Sequence, residues 1–246
     1  VQTGPAFVID AASFAVAVAA IALVRGGRRL PSGPSEPQES VMASIGGGLR
    51  AAWADPAIRG AIVLTTAFNL AINGPISVGL AWLADERFAG GSTAFGLMFS
   101  AWGAGALIGA VVGGSITRIP HFGSVLLGAA ALIGVGLAAI GFAPSAIVAG
   151  TILAAMGVMV GLINVQFISW LQRRVQGEQM GRMMSLVMLG SVGLAPVSLA
   201  AAGFLIDLGA ATLMFAMAGG IVLAATIAGF AWGMPRLMDT DRSPAD

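Results

Sequence analysis

Residues 94–116 read AFGLMFSAWGAGALIGAVVGGSI and contain no charged side chain. An α-helix rises about 1.5 Å per residue, so about 20 apolar residues are enough to cross the roughly 30 Å hydrocarbon core of a bilayer. A helix also satisfies its own backbone hydrogen bonds, which is required where there is no water. This stretch therefore predicts a transmembrane helix.

Six other segments share this character, and Asp10 is the only charged residue inside the seven. The chain of 246 residues is 57% apolar and 9% charged, whereas soluble domains average about 45–50% apolar and about 25% charged. We therefore predict an all-α polytopic membrane protein with seven transmembrane helices. The predicted spans are 5–24, 60–83, 94–116, 123–142, 146–169, 183–206 and 210–233.

The distribution of arginine predicts the orientation of the chain. All 12 basic residues are arginine, and basic residues in short loops are retained on the cytoplasmic side. Arg87 alone lies in the connections after the second, fourth and sixth predicted spans, and the other arginines lie in the remaining connections and the C-terminal tail. We therefore expect the N-terminus of this chain outside and its C-terminus in the cytoplasm.

A long connection separates the first predicted span from the other six. We predict a lone transmembrane helix at 1–24, a cytoplasmic linker at 25–59, a six-helix transmembrane bundle at 60–233 and a cytoplasmic tail at 234–246. Apolar residues at near-helical spacing indicate an interfacial amphipathic helix in the second half of the linker. The dipeptide Asp55-Pro56 then predicts a helix cap and a first-turn proline.

The composition excludes several classes of function. With no cysteine there is no thiolate metal site or thiol nucleophile, and the single histidine, His121, is too few for an imidazole metal cluster. The absence of lysine excludes a retinal Schiff base and a pyridoxal aldimine. A net charge of +1 provides no basic face for a nucleic acid. We predict a protein that is not an enzyme and has no cofactor, metal or nucleic-acid partner.

Several patches of sequence, in a fixed order along the chain, carry a resemblance to a known family. They are Gly-Pro-Ala-Phe-Val-Ile-Asp-Ala-Ala-Ser-Phe at 4–14, Gly-Leu-Arg at 48–50, Asp-Pro-Ala-Ile-Arg at 55–59, Gly-Leu-Ile-Asn at 161–164, Leu-Gln-Arg-Arg-Val at 171–175 and Gly-Arg-Met-Met-Ser at 181–185.

These patches resemble the sixth helix, the approach to the seventh helix and the tenth and eleventh helices of major facilitator superfamily permeases. The resemblance is to the branch of drug, macrolide and siderophore exporters. It implies that the seven spans are helices six to twelve of twelve, that six of them form the C-terminal half-bundle of the fold, and that the N-terminal half-bundle is a missing partner.

The resemblance also implies a function. In the family, substrate lies near the bilayer midplane between two halves that rock against each other. The expected protein is part of a secondary transporter in a bacterial inner (plasma) membrane that exports small amphipathic molecules by alternating access. The alternative that the residues leave open is a seven-helix sensor, receptor or assembly protein without transport activity.

Asn69 and Asn73 are candidates for lining a substrate cavity. They are four residues apart, hence on one face, close to the centre of the second predicted span. Their amides offer hydrogen-bond donors and acceptors to a ligand. The alternative is hydrogen bonding between helices, which membrane proteins also use.

Four further residues are candidates for the same cavity. Trp102 lies near the middle of the third span, too deep for the aromatic belt, and Phe99 lies about one turn before it. Asn164 lies about 9 Å inward of its helix centre, by helical rise, and Gln166 lies nearby on a different face. The alternatives are a packed or lipid-facing indole and structural amides.

Gly105, Gly109 and Gly113 form a stripe of small residues that permits another helix to approach closely. We interpret this stripe as a helix-packing surface. The resemblance implies that its partner is the fifth helix of the family, which is outside this chain, or else a neighbour that takes its place.

Four arginines in the connections predicted to be cytoplasmic are candidates for fixing topology or for gating, with inner-face acids such as Glu178 as partners. The loop that holds the first of them is similar to a degenerate version of a family motif and lacks the usual aspartate. The four are Arg118, Arg173, Arg174 and Arg182.

Overall fold

A computed structural model describes residues 4–23, 53–117, 119–175 and 177–240. The chain divides into two compact units, Val1–Ser40 and Val41–Asp246. In the first unit, the described residues form one helix, α1 (Gly4–Leu23), whose side chains from 11 to 21 are all exposed. The predicted interfacial helix and most of the predicted linker lie outside the described residues.

The second unit is a bundle of helices, and its described residues contain no strand. The longest helix, α2, is continuous and includes two π-helical turns, at Pro75–Gly79 and Leu83–Arg87. The helices are α2 (Pro56–Arg87), α3 (Gly91–Ser115), α4 (Phe122–Ile140), α5 (Ala146–Arg174), α6 (Gly177–Val192), α7 (Ala195–Asp207), α8 (Ala211–Ala231) and α9 (Met234–Asp239).

The predicted all-α membrane fold is confirmed. Six helical stretches in the described residues are long and apolar enough to cross a membrane. They are α2, α3, α4, α5, α8 and the stretch Met183–Asp207, which consists of the last part of α6 and all of α7. The first predicted span is the helix α1, whose apolar part Ala11–Ile21 is shorter. The predicted division of the chain into a lone helix, a linker, a six-helix bundle and a tail stays a prediction.

The start of α2 follows from its sequence. The Asp55 carboxylate accepts hydrogen bonds from the backbone N–H groups of Ala57 (2.8 Å) and Ile58 (3.4 Å), and Pro56 occupies the first turn. This is the predicted cap, and it satisfies donors that have no partner inside the helix. The helix therefore begins four residues before the first residue of the predicted span.

The glycine stripe of α3 lies directly against α5. A Cβ atom added at Gly105 or Gly109 would overlap the carbonyl oxygens of Ala154 or Val158, and one added at Gly113 would lie 3.0 Å from the carbonyl oxygen of Leu162. All three glycines are buried. The stripe is therefore in contact with a helix of this chain.

The facing side of α5 has glycines of its own. A Cβ atom at Gly157 would overlap the carbonyl oxygen of Trp102, and one at Gly161 would overlap that of Ala106. Each backbone thus fits into a gap that the other helix leaves. Such close approach maximises van der Waals contact, which drives helix association in lipid because lipid tails are as apolar as leucine.

Two apolar clusters fill the space between the helices. One includes Leu80, Leu153 and Phe215, and the other, at the opposite end of the bundle, includes Trp170 and Met234. The helices contribute unequally to this interior. In an apolar stretch of 18 residues taken from each helix, 56% is buried in α4, against 17% in α3 and 11% in Met183–Asp207. One part of the bundle therefore has much exposed apolar surface.

We predict that the substitution Gly109→Ala destabilises the bundle by about 1–3 kcal/mol, the usual cost of overpacking. The added methyl group would force the backbones of α3 and α5 apart. The measurement is the midpoint of thermal unfolding of the purified chain in detergent.

The matched control is Gly103→Ala on the same helix, where an added Cβ meets nothing within 4 Å. This change should leave the midpoint unchanged or raise it, because alanine is the better helix former. Equal effects of the two substitutions would show that the close approach of α3 and α5 does not stabilise the bundle.

Candidate functional site

The two central asparagines of α2 bond to their own helix. Asn69 Nδ2 donates to the carbonyl oxygen of Thr65 (2.9 Å), and Asn73 Nδ2 donates to that of Asn69 (2.8 Å). Both side chains are half-buried, and neither Oδ1 atom receives a hydrogen bond from the described residues. The pair therefore presents two amide oxygens as acceptors on one helix face.

A change in helix geometry follows immediately after this pair. Pro75 has no N–H group, and α2 widens there into the π-helical turn Pro75–Gly79. The backbone N–H of Gly74 donates to Ser198 Oγ of α7 at 2.7 Å, and a Cβ atom at Gly74 would overlap the carbonyl oxygen of Ser198. Sequence reasoning missed Ser198, because no local pattern marks a hydroxyl that bonds a distant backbone.

The two aromatic candidates lie on α3. Phe99 is 46% exposed and stacks on Phe95 with ring centroids 5.7 Å apart. Trp102 is half-buried and packs against the cluster of Leu80, Leu153 and Phe215. Helix α3 contacts α2 mainly along residues 80–87, more than a helical turn beyond Asn73. These aromatic residues are thus not part of one compact group with the asparagines.

The two candidates on α5 differ sharply. Asn164 is exposed and makes no hydrogen bond with the described residues. Gln166 is only 3% exposed, and its Nε2 donates to the carbonyl oxygens of Gly113 and Ile116, at 2.7 Å each. Its amide nitrogen is therefore already used to cap the end of α3.

Two of the arginine candidates, Arg173 and Arg174, lie at the end of α5. Arg174 Nε donates to Asp55 Oδ2 at 2.8 Å, and its Nη1 donates to the carbonyl oxygen of Thr240 at 3.2 Å. Its guanidinium also lies over the ring of Trp170, 5.5 Å from the centroid. Arg174 thus joins the start of α2 to the end of α9.

Of the other three arginines, the structure describes the side chain of Arg173 alone. Arg173 is exposed and makes no hydrogen bond or ion pair with the described residues. Arg118 and the side chain of Arg182 lie outside the described residues, as does the side chain of the expected partner Glu178.

The electrostatics of Asp55 reflect the contact with Arg174. Burial raises the pKa of the Asp55 carboxyl, but the hydrogen bond and positive charge of Arg174, with the N–H groups of Ala57 and Ile58, outweigh it. The pKa of Asp55 therefore lies below its ordinary value of 3.8. Asp55 is ionised at neutral pH and holds Arg174 in place.

We predict that Asp55→Asn lowers the free energy of unfolding by about 1–2 kcal/mol at neutral pH, since it removes a hydrogen-bonded charge pair. Asparagine keeps the helix cap, so the change isolates the ion pair. The folded pKa is depressed, so the contribution of Asp55 is present above its ordinary pKa and is lost as the pH falls through the folded value.

The measurement is the unfolding midpoint of both proteins between about pH 7 and about pH 3, a range that crosses the ordinary pKa of the carboxyl. The advantage of the natural chain should be constant down to about pH 5 and shrink below about pH 4. An advantage that does not change with pH would contradict the assignment to this carboxylate.

We also predict that Gln166→Met destabilises the bundle by about 1–3 kcal/mol, because the carbonyl oxygens of Gly113 and Ile116 each lose the hydrogen bond from its buried amide. Methionine is nearly the same size, so the change tests the hydrogen bonds. Unfolding midpoints compared with those of Asn164→Met, at an exposed amide on the same helix, provide the measurement. Stability unaltered by Gln166→Met would count against its capping of α3.

Comparison with known proteins gives one match. A sequence model of the Major Facilitator Superfamily matches residues 3–196. A search of the curated proteins and a search of the solved structures found no match. The match runs from α1 to the first turn of α7 and therefore covers most of the chain. Together with the apolar helices, it shows an integral membrane protein of transporter type. The chain belongs to the Major Facilitator Superfamily.

Proposed function

We propose that this chain forms one wall of a secondary transporter that exports small amphipathic molecules by alternating access. The observation that carries this proposal is the pair of Oδ1 atoms of Asn69 and Asn73, near the middle of the long helix α2, which accept no hydrogen bond from the described residues. Transporters of this architecture bind substrate near the bilayer midplane.

The chemistry of the site supports an amphipathic substrate. Two amide oxygens accept hydrogen bonds from N–H or O–H groups, and the half-buried apolar side chains of Phe68 and Leu70 lie next to them on α2. A molecule with a donor group on an apolar body would match both features. We keep Phe99, Trp102 and Asn164 as candidates for contact with the apolar body, and Gln166 as the weakest candidate because its nitrogen is occupied.

A second half-bundle is the proposed partner. Helix α3 and the stretch Met183–Asp207 bury a far smaller share of their apolar residues than α4 does. A transporter that rocks between two states needs a second wall against which substrate is enclosed. The exposed surface of these two helices supports such a wall, and the remainder of the surface would face lipid.

The proposed location is a bacterial inner membrane, with the N-terminus of this chain outside and its C-terminus in the cytoplasm. The excess of arginine in alternate connections supports this orientation. The helix end that carries Arg173 and Arg174 would then face the cytoplasm, and the connection around Pro144 would face outward.

The alternative proposal, a sensor, receptor or assembly protein without transport activity, differs in one testable respect. A sensor would use the free asparagine oxygens to bind a signal molecule without moving it. Only net movement of substrate across a sealed membrane distinguishes the two, so the deciding experiment measures flux and not binding alone.

We predict that liposomes containing this chain alone show no flux of a fluorescent amphipathic amine, because one wall does not enclose a cavity. Liposomes containing the product of the complete reading frame should show flux. Within that product, Asn69→Ala and Asn73→Ala should each lower the rate about two- to tenfold, the value of one hydrogen bond.

Thr151→Val is the matched control for the asparagine variants. The Thr151 hydroxyl also bonds a carbonyl of its own helix, that of Ile147, but it lies near the start of α5. Its removal should leave the rate unchanged. Sustained flux through the chain alone, or full rates in both asparagine variants, would contradict the proposal.

A further inference from the structure

A groove of about 370 Å³ opens at the end of the bundle where the α3–α4 connection, the end of α5 and α9 meet. Its volume is at the low end of the range for ligand sites, about 300–1,000 Å³. The polar residues that line it are His121, Trp170, Arg173, Arg174, Asp239 and Thr240. It lies near the start of α2, several helical turns from the asparagine pair, and needs its own explanation.

The charges in the groove are only partly paired. Arg174 is held by Asp55 and by the carbonyl oxygen of Thr240. Asp239 Oδ1 accepts a hydrogen bond from the backbone N–H of Gly123 at 3.0 Å. The guanidinium of Arg173 is exposed and has no partner among the described residues. The groove therefore contains a cation whose five N–H donors bond to nothing in the described part of the chain.

The groove lies close to apolar surface that faces away from the bundle. Ile116, just after α3, and Val125, one turn into α4, are each 37% exposed. Trp170 forms one wall, and its indole N–H donates to the carbonyl oxygen of Met238 at 3.2 Å. Tryptophan at a helix end is typical of the membrane–water interface. A ligand that is charged at one end and apolar at the other would satisfy both regions.

We propose that this groove binds the phosphate of an anionic phospholipid headgroup, with Arg173 as its hydrogen-bonding cation. The acyl chains of the lipid extend from the groove along the exposed side of α4. Arginine suits phosphate because its planar group donates two parallel hydrogen bonds. Basic residues between helices at the membrane surface commonly bind anionic headgroups. This inference does not depend on transport activity.

The experiment is native mass spectrometry of the full chain in nonionic detergent with added phosphatidylglycerol. Arg173→Gln should weaken binding about fivefold, the usual contribution of one basic residue near a lipid surface. Asp239→Asn should strengthen binding, because it removes a negative charge from the groove while its side-chain oxygen still accepts the hydrogen bond from Gly123.

Arg236→Gln is the matched control. Arg236 is an exposed residue of α9 that does not line the groove, so its removal changes the net charge equally and should alter binding less than twofold. Equal losses from Arg173→Gln and Arg236→Gln would overturn the site in favour of general charge attraction.

Two further probes decide the source of the phosphate. Phosphatidylcholine, which has no net charge, should bind more weakly than phosphatidylglycerol. Inorganic phosphate should not displace phosphatidylglycerol at equal concentration, because it lacks the apolar chains. Displacement by inorganic phosphate, or equal binding of the two lipids, would overturn the assignment to an anionic lipid.

Discussion

The bundle depends on the direct contact between the backbones of α3 and α5. Glycines on both helices remove the side chains that would separate them, so backbone carbonyl oxygens of one helix lie where Cβ atoms of the other would be. Lipid gives no hydrophobic force between helices, and this close fit replaces it. The same contact brings Gln166 to the end of α3, where it caps two carbonyl groups.

Lipid also explains how the polar side chains of the spans are arranged. Several of them bond a carbonyl one turn earlier in the same helix, which satisfies a donor without water. Hydroxyl groups in α5 and α8 follow this rule, at Thr151, Ser169 and Thr226. An amide that follows it still has a free oxygen, which is why Asn69 and Asn73 differ from the hydroxyl residues.

The helices were predictable because hydropathy is a local property, as were the cap at Asp55 and the packing character of the α3 glycines. The contacts that position the site were not. Gln166 bonds a carbonyl 53 residues away, Arg174 bonds Asp55 119 residues away, and Ser198 bonds Gly74 124 residues away. No spacing in the chain encodes these partners. In sequence, an amide inside a span such as Gln166 is compatible with binding substrate or backbone, so its bonds to Gly113 and Ile116 could not be predicted.

The most direct test is to find out which ends of the helices are exposed on each side of a membrane. The chain has no cysteine, so one introduced cysteine is its only thiol. Pro144 lies in the connection between α4 and α5, Gln172 lies near the end of α5, and both are exposed. In intact cells, a membrane-impermeant maleimide should label Pro144→Cys and should label Gln172→Cys only after permeabilisation. Labelling of both in intact cells would contradict a chain that crosses the membrane between them.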